Sequence, residues 1–326
     1  MITNNAAPKA MSNCQAYSRK RVCTKGNETN AAMAQYHSAS IVPARLAIVS
    51  RVARLKSMVR NWLKIAKKKI AIFGLKNIPV IAGPNGVESH KLMDQVAKCL
   101  VKNNIKIIRG HAYKPLTFPY RSSQYKESKN TGMDIMDSIK KKYKLKVVTE
   151  ITELQYLDRV CKTADILQIG SRNMQNLELL REVALTRKPI ILKRHFGASL
   201  RDLLGAAEHI LIEGNKKLIL CERGVSIPHT HRNTSRFALD IQAIPALKEI
   251  TNLPIISDPS HASFWASWVP SLTYASIAAG CDGLIIEIHK DPKNSAVDPL
   301  QPLNFSQFNK LIKNSKLVAK SVGRKV

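Results

Sequence analysis

Asn85, Arg109, Glu150, Arg172, Lys193, Arg223, His261 and Glu287 follow one another along the chain, each at or just beyond the end of a short apolar run. Two chemistries are present in that set. Arg109, Lys114, Arg172, Lys193 and Arg223 are cationic, and like charges gather only around an anion. Guanidinium forks suit phosphate and carboxylate, whereas lysine supplies a point charge and a proton. A ligand carrying both phosphate and carboxylate is the simplest inference. A sugar phosphate, or a structural ion-pair network with Glu150 and Glu222, remains open on chemistry alone. The second set is His261, Glu287 and Asp298, one imidazole and two carboxylates. They suit a divalent ion such as Mn, Fe or Zn and leave positions for water or a substrate oxygen.

The elements that carry these residues repeat. PVIAGPN, IKIIRG, KVVTE, ILQIGSRN, PIILKRH, LILCERG, PIISDPSH and GLIIEIH are continuous apolar runs, as expected of strands buried on both faces. Between them lie segments with helical spacing: 90–102, 135–142, 154–162, 177–185 and 200–211. Strand then helix, eight times over, predicts an α/β fold, the TIM (β/α)8 barrel. Such a barrel gathers the C-terminal ends of its strands at one mouth, where active sites sit. The first and last strands become neighbours on closure, which brings Asn85 to the His261, Glu287 and Asp298 group.

The chain has 326 residues, enough for one barrel of about 250 residues and an extension. Its six cysteines show no paired short spacing, which argues against a disulfide framework or zinc knuckle and for a reducing, cytoplasmic setting. No apolar run approaches the roughly 20 residues of a membrane span. The formal charge of +29 suggests nucleic acid at first sight. Yet residues 1–78 hold fifteen Lys and Arg against one acid, Glu28, so much of the excess lies outside the barrel. No nucleic-acid-binding motif accompanies it, and no dedicated nucleic-acid partner is expected.

Three regions are expected. Residues 1–41 read as a disordered polar and basic tail. Residues 42–77 read as an amphipathic basic helix, with Leu46, Val49, Val52, Leu55, Val59, Trp62 and Ile65 on one face, followed by a short strand at 71–73. That helix has three readings: docking on the barrel or a sister subunit in a homo-oligomer, an organelle transit sequence, or contact with an anionic membrane. Residues 78–326 are the barrel.

AGPNGVES, RGHAYKPLTFPY, QIGSRNMQN, ILKRH, LCERG, DPSHA and EIHKDPKNSAVD resemble, in order, the motifs of 3-deoxy-7-phosphoheptulonate (DAHP) synthases of the short class I β kind. These share a barrel with the 3-deoxy-octulosonate 8-phosphate (KDO8P) synthases, and the resemblance covers roughly residues 78–316. It implies condensation of phosphoenolpyruvate with an aldose phosphate. Erythrose 4-phosphate would be the acceptor in DAHP formation, the first step of the shikimate pathway to aromatic amino acids. It further implies that Arg109, Lys114, Arg172, Lys193 and Arg223 grip phosphoenolpyruvate and that Lys114 and Thr117 belong to the acceptor clamp. Lys114, Asn85 and His261 would be catalytic, and His261, Glu287 and Asp298 metal ligands.

The departures are specific. Asn85 stands where DAHP synthases have a cysteine thiolate ligand, so metal binding should be weaker, or catalysis metal-independent as in KDO8P synthases with Asn there. The clamp reads Lys114-Pro115-Leu116-Thr117 in place of KPRT, with Arg121 five residues beyond Leu116. After His261 the chain is aromatic, ASFWASW. These changes leave two alternatives: a KDO8P-like synthase with another acceptor, or a catalytically impaired phosphoenolpyruvate-binding paralogue.

Overall fold

A computed structural model describes residues 76–116, 126–228 and 237–326. The chain divides at Leu55 into two units, and every described residue belongs to the second. The expectations for 1–41, for the basic helix and for the strand at 71–73 therefore lie outside the described residues, as do Thr117 and Arg121.

All eight expected strands form, and they close a parallel barrel. They are β1 (Val80–Gly83), β2 (Ile107–Arg109), β3 (Lys146–Ile151), β4 (Ile166–Ile169), β5 (Ile190–Lys193), β6 (Leu218–Glu222), β9 (Ile255–Ser257) and β10 (Gly283–Glu287). β1 pairs with β10 on one side, Gly83 opposite Glu287, and with β2 on the other, Ile81 opposite Ile107. A two-stranded antiparallel hairpin, β7 (Val225–Ser226) and β8 (Phe237–Ala238), interrupts the order after β6. It was not foreseen, because two-residue strands leave no periodic trace.

The helices are α1 (His90–Lys102), α2 (Lys129–Tyr143), α3 (Leu157–Thr163), α4 (Leu177–Leu185), α5 (Leu200–Ile212), α6 (Ala243–Ile250), α7 (Pro259–Ser263), α8 (Val269–Ala278) and α9 (Phe305–Ser321). α2 begins six residues before the apolar spacing suggested. Its buried face is Gly132, Met133, Met136 and Ile139, so it opens on a glycine that has no apolar side chain to mark it in the sequence. The expected 154–162 helix is a 3-10 turn at Leu154–Tyr156 leading into α3. Among the described residues no helix is long and apolar enough to cross a membrane.

One residue pattern inside the barrel builds the site. Ile81, Ile107, Val148, Ile166, Ile191, Ile219, Cys221, Ile256 and Ile285, drawn from all eight strands, pack together as a buried interior layer. Successive inward positions on a strand are two residues apart. The next inward positions toward the mouth are therefore Gly83, Arg109, Glu150, Gln168, Lys193, Asp258 and Glu287. At Gly83, with φ of +152°, a Cβ would stand 2.1 Å from the backbone oxygen of Arg109. Gly83→Ala should thus lower stability by about 3 kcal/mol, the upper range for overpacking, because backbone rather than a side-chain tip must move. Denaturant unfolding tests this, and an unchanged midpoint would show that β1 and β2 can part without loss.

Candidate active site

A cavity of about 710 Å³ opens at the C-terminal ends of the strands. Asn85, Lys114, Leu116, Glu150, Arg172, Lys193, Arg223, His261 and Asp298 all line it. Arg109 and Glu287 lie beneath its floor, both fully buried, with Nη2 of Arg109 3.1 Å from Oε2 of Glu287. The Nε of Arg109 donates to the carbonyl of Gly83 at 3.2 Å. Its Nη1 is buried without a hydrogen-bond partner.

The cations come from consecutive strand ends and from the loop after β2. Arg172, in the 3-10 turn Ser171–Asn173 after β4, Lys193 at the end of β5 and Arg223 just after β6 form one arc. Burial pushes the Arg223 guanidinium below its ordinary pKa, and neighbouring Arg172 adds to this. Nη1 of Arg223 has no hydrogen-bond partner. A guanidinium with a buried, unsatisfied Nη1 beside a second guanidinium is costly unless an anion completes it. Lys114, in the loop after β2, has its Nζ 3.0 Å from Oε2 of Glu150. Burial opposes the charge on Glu150, yet Lys114 and Lys193 hold its carboxyl below the usual range.

Sequence reasoning foresaw ion pairing with Glu150 and Glu222 as an alternative, and both carboxylates are indeed paired. Glu222, however, takes Arg194 at 2.9 Å rather than a cavity-lining cation. It also missed Asp258, the partner of Lys193 at 2.5 Å. Burial works against the charge on Asp258, but His261 and the Lys193 ammonium hold it well below the carboxylate range. Gln168 and His111 were missed too. Gln168 donates to Oε2 of Glu150 at 3.2 Å, and Nδ1 of His111 accepts the backbone N–H of Glu150 at 2.9 Å. Burial, then the charges of Arg109 and Lys114, keep His111 well below its ordinary pKa, hence neutral. The signal that finds Asp258 and Gln168 is the two-residue inward spacing, since each lies two beyond an interior isoleucine.

His261 follows β9 in α7, where Asp258 caps the helix by accepting the His261 N–H at 3.1 Å. Its Nδ1 lies 3.0 Å from Oδ1 of Asp258, and its Nε2 faces Oε2 of Glu287 at 3.6 Å. Burial brings the His261 pKa down to about 3, against the pull of Asp258. Burial raises Glu287 to about 7, with Arg109 opposing and Asp298 reinforcing the rise. Asp298 is turned toward Asn85, whose Nδ2 donates to Oδ2 at 2.9 Å. Among the described residues no three His, Cys, Asp or Glu side chains stand together as a ready metal cage. The donor chemistry nevertheless fits a divalent ion held weakly. Oδ1 of Asn85 and Oε1 of Glu287 are buried acceptors without partners. A neutral His261 that gives its Nδ1 proton to Asp258 presents the Nε2 lone pair, the usual arrangement behind a ligating imidazole.

The chain matches the DAHP synthetase I family over residues 63–322. It is 38% identical over 247 residues to the phospho-2-dehydro-3-deoxyheptonate aldolase of Thermotoga maritima, covering 76% of this chain and 71% of that protein. It is 26% identical over 275 residues to the 2-dehydro-3-deoxyphosphooctonate aldolase of Fusobacterium nucleatum, covering 78% and 95%. The crystal structure of the Thermotoga maritima DAHP synthase superposes with a TM-score of 0.72 at 37% identity, over 77% of this chain and 72% of that one. A truncated form of the Thermotoga maritima enzyme gives 0.69 at 36%, over 77% and 90%. The barrel, the cationic mouth and these likenesses agree, and the chain belongs to the DAHP synthetase I family of transferases, which join phosphoenolpyruvate to an aldose phosphate.

Proposed function

We propose that this protein condenses phosphoenolpyruvate with erythrose 4-phosphate, giving DAHP and inorganic phosphate. The observation that carries the reading is one cavity lined together by Lys114, Arg172, Lys193, Arg223 and His261, which gathers enough positive charge to hold two anionic substrates. Phosphoenolpyruvate contributes three carbons, so a heptonate product requires a four-carbon acceptor. The Thermotoga maritima relative carries that product in its name. The relatives named for octonate products favour a second reading, a five-carbon acceptor.

Holding two anionic substrates side by side is the main task. Arg172, Lys193 and Arg223, with Arg109 beneath, neutralise phosphoenolpyruvate and fix its face, turning an encounter into an oriented reaction. C3 of phosphoenolpyruvate attacks the aldehyde carbon, water adds at C2, and phosphate leaves from the hemiketal carbon. Lys114 gives a proton to the alkoxide formed at the former aldehyde. Its Glu150 partner, itself held by Gln168, aims the ammonium. His261, Glu287 and Asp298, with Oδ1 of Asn85 beside them, would hold a divalent ion, which when bound would add Lewis acidity toward the aldehyde oxygen to the proton that Lys114 gives without it.

Phosphate release from phosphoenolpyruvate, measured with a panel of four- and five-carbon aldose phosphates, with and without divalent ions, tests the reading. Erythrose 4-phosphate should give the highest kcat/KM. A preference for a five-carbon acceptor would move the chain to the second reading, and no turnover with any acceptor would make it a binding paralogue. Phosphoenolpyruvate should bind in calorimetry in every case. Arg172→Ala should weaken that binding by roughly 1.5 kcal/mol or more, as for a charge-assisted contact.

A further inference from the structure

Arg194 follows Lys193 in ILKRH, yet its side chain is buried away from the cavity. Its Nη1 donates both to Oε2 of Glu222 and to Oδ2 of Asp240, each at 2.9 Å, and its Nε donates to the carbonyl of Ala198 at 2.9 Å. Glu222 is fully buried and precedes Arg223. With its other oxygen, Oε1, it accepts the N–H of Gly224 at 2.6 Å and that of Asp240 at 3.4 Å. The carboxylate before Arg223 is thus tied to the backbone after it, and Gly224 makes the turn at φ of +95°. The Arg223 guanidinium lies 4.5 Å over the Phe237 ring, which packs on Phe196 at 5.2 Å.

From this arrangement we infer that Arg194 is a positioning residue for Arg223: by occupying Glu222 and Asp240 it keeps Arg223 aimed into the cavity. The argument is one of charge. Glu222 and Asp240 need a cation, and Arg223 is a near one whose charge already interacts with Glu222. With Arg194 in place the buried carboxylate is satisfied without Arg223. Without it, Arg223 is drawn onto Glu222 and leaves the anion site. The inference rests on phosphoenolpyruvate lying against Arg172, Lys193 and Arg223.

Three variants of the full chain separate the possibilities, with phosphoenolpyruvate titrated by calorimetry and steady-state kinetics run alongside. Arg194→Met should raise the phosphoenolpyruvate dissociation constant about tenfold or more, the scale of a misplaced binding group, and leave the acceptor KM within about twofold, since the acceptor side lacks Arg223. Adding Glu222→Gln to Arg194→Met removes the charge that captures Arg223 and should restore much of the lost affinity. General damage to packing would instead accumulate in the double variant. If Arg194→Met does not fold, Arg194→Gln, which keeps a polar donor in the same space, takes its place with the same expectation. Unchanged affinity in the single variant, or no recovery in the double, overturns the inference. Arg172→Ala serves as the reference: if it too leaves affinity unchanged, the placement of phosphoenolpyruvate on this arc is what fails.

Discussion

Lys114→Met should lower kcat by about 10²- to 10⁴-fold, the range for loss of a positioned proton donor, while phosphoenolpyruvate still binds. Three features single out Lys114. Its ammonium shares Oε2 of Glu150 with Gln168, so one of its three N–H groups is engaged in that bond and the others can reach a substrate. Lys193, the other lysine of the cavity, is held by fully buried Asp258 at 2.5 Å. His261, whose burial keeps it neutral, has given its Nδ1 side to the same carboxylate. Loss of one cation should weaken phosphoenolpyruvate by no more than about tenfold, because Arg172, Lys193 and Arg223 remain. Comparing kcat from steady-state phosphate release with the calorimetric dissociation constant checks both halves. A kcat within threefold of the unaltered enzyme would move the proton donor elsewhere.

The barrel was legible because its strands are buried on both faces and therefore apolar throughout, a pattern that survives without any partner being known. The mouth followed from topology, since strand ends must converge once the sheet closes. What stayed hidden depended on pairing. The spacing from Ile256 turns Asp258 inward, but nothing in DPSHA says that it pairs with Lys193 as well as capping α7, because a cap and an ion pair ask for the same residue. Arg194 and Lys193 are adjacent and alike in charge, yet the strand's alternation sends one into the cavity and the other to Glu222. The hairpin carrying Phe237 is too short to leave a period, so the ring under Arg223 was invisible. Asn85 was legible as a strand-end residue, but its bond to Asp298 depends on how the loop after β10 returns, with Asp298 at a positive φ of 50°.

That bond sets the second large effect. Asn85→Cys should bind Zn, Mn or Fe on the order of a hundredfold more tightly than the unaltered chain, through a soft, ionisable donor. In the unaltered chain the ligand candidates are neutral His261 and two carboxylates. One of these, Glu287, is shared with Arg109, and Asp298 is engaged by the Asn85 amide. A thiolate at 85 adds a third negative charge and removes the amide that holds Asp298, freeing that carboxylate to turn toward His261 and Glu287. Binding should release protons, because the thiol must ionise to ligate. Metal content after dialysis against a chelator, and calorimetry with each ion in two buffers of different ionisation enthalpy, read this without relying on turnover. Turnover of the unaltered chain should resist the chelator, and that of the variant should not. If the unaltered chain keeps one ion per subunit through the chelator, the Asn85 amide, or a water it holds, is an adequate ligand and residue 85 does not set metal dependence. If folded Asn85→Cys gains no affinity, His261, Glu287 and Asp298 do not converge on an ion at all.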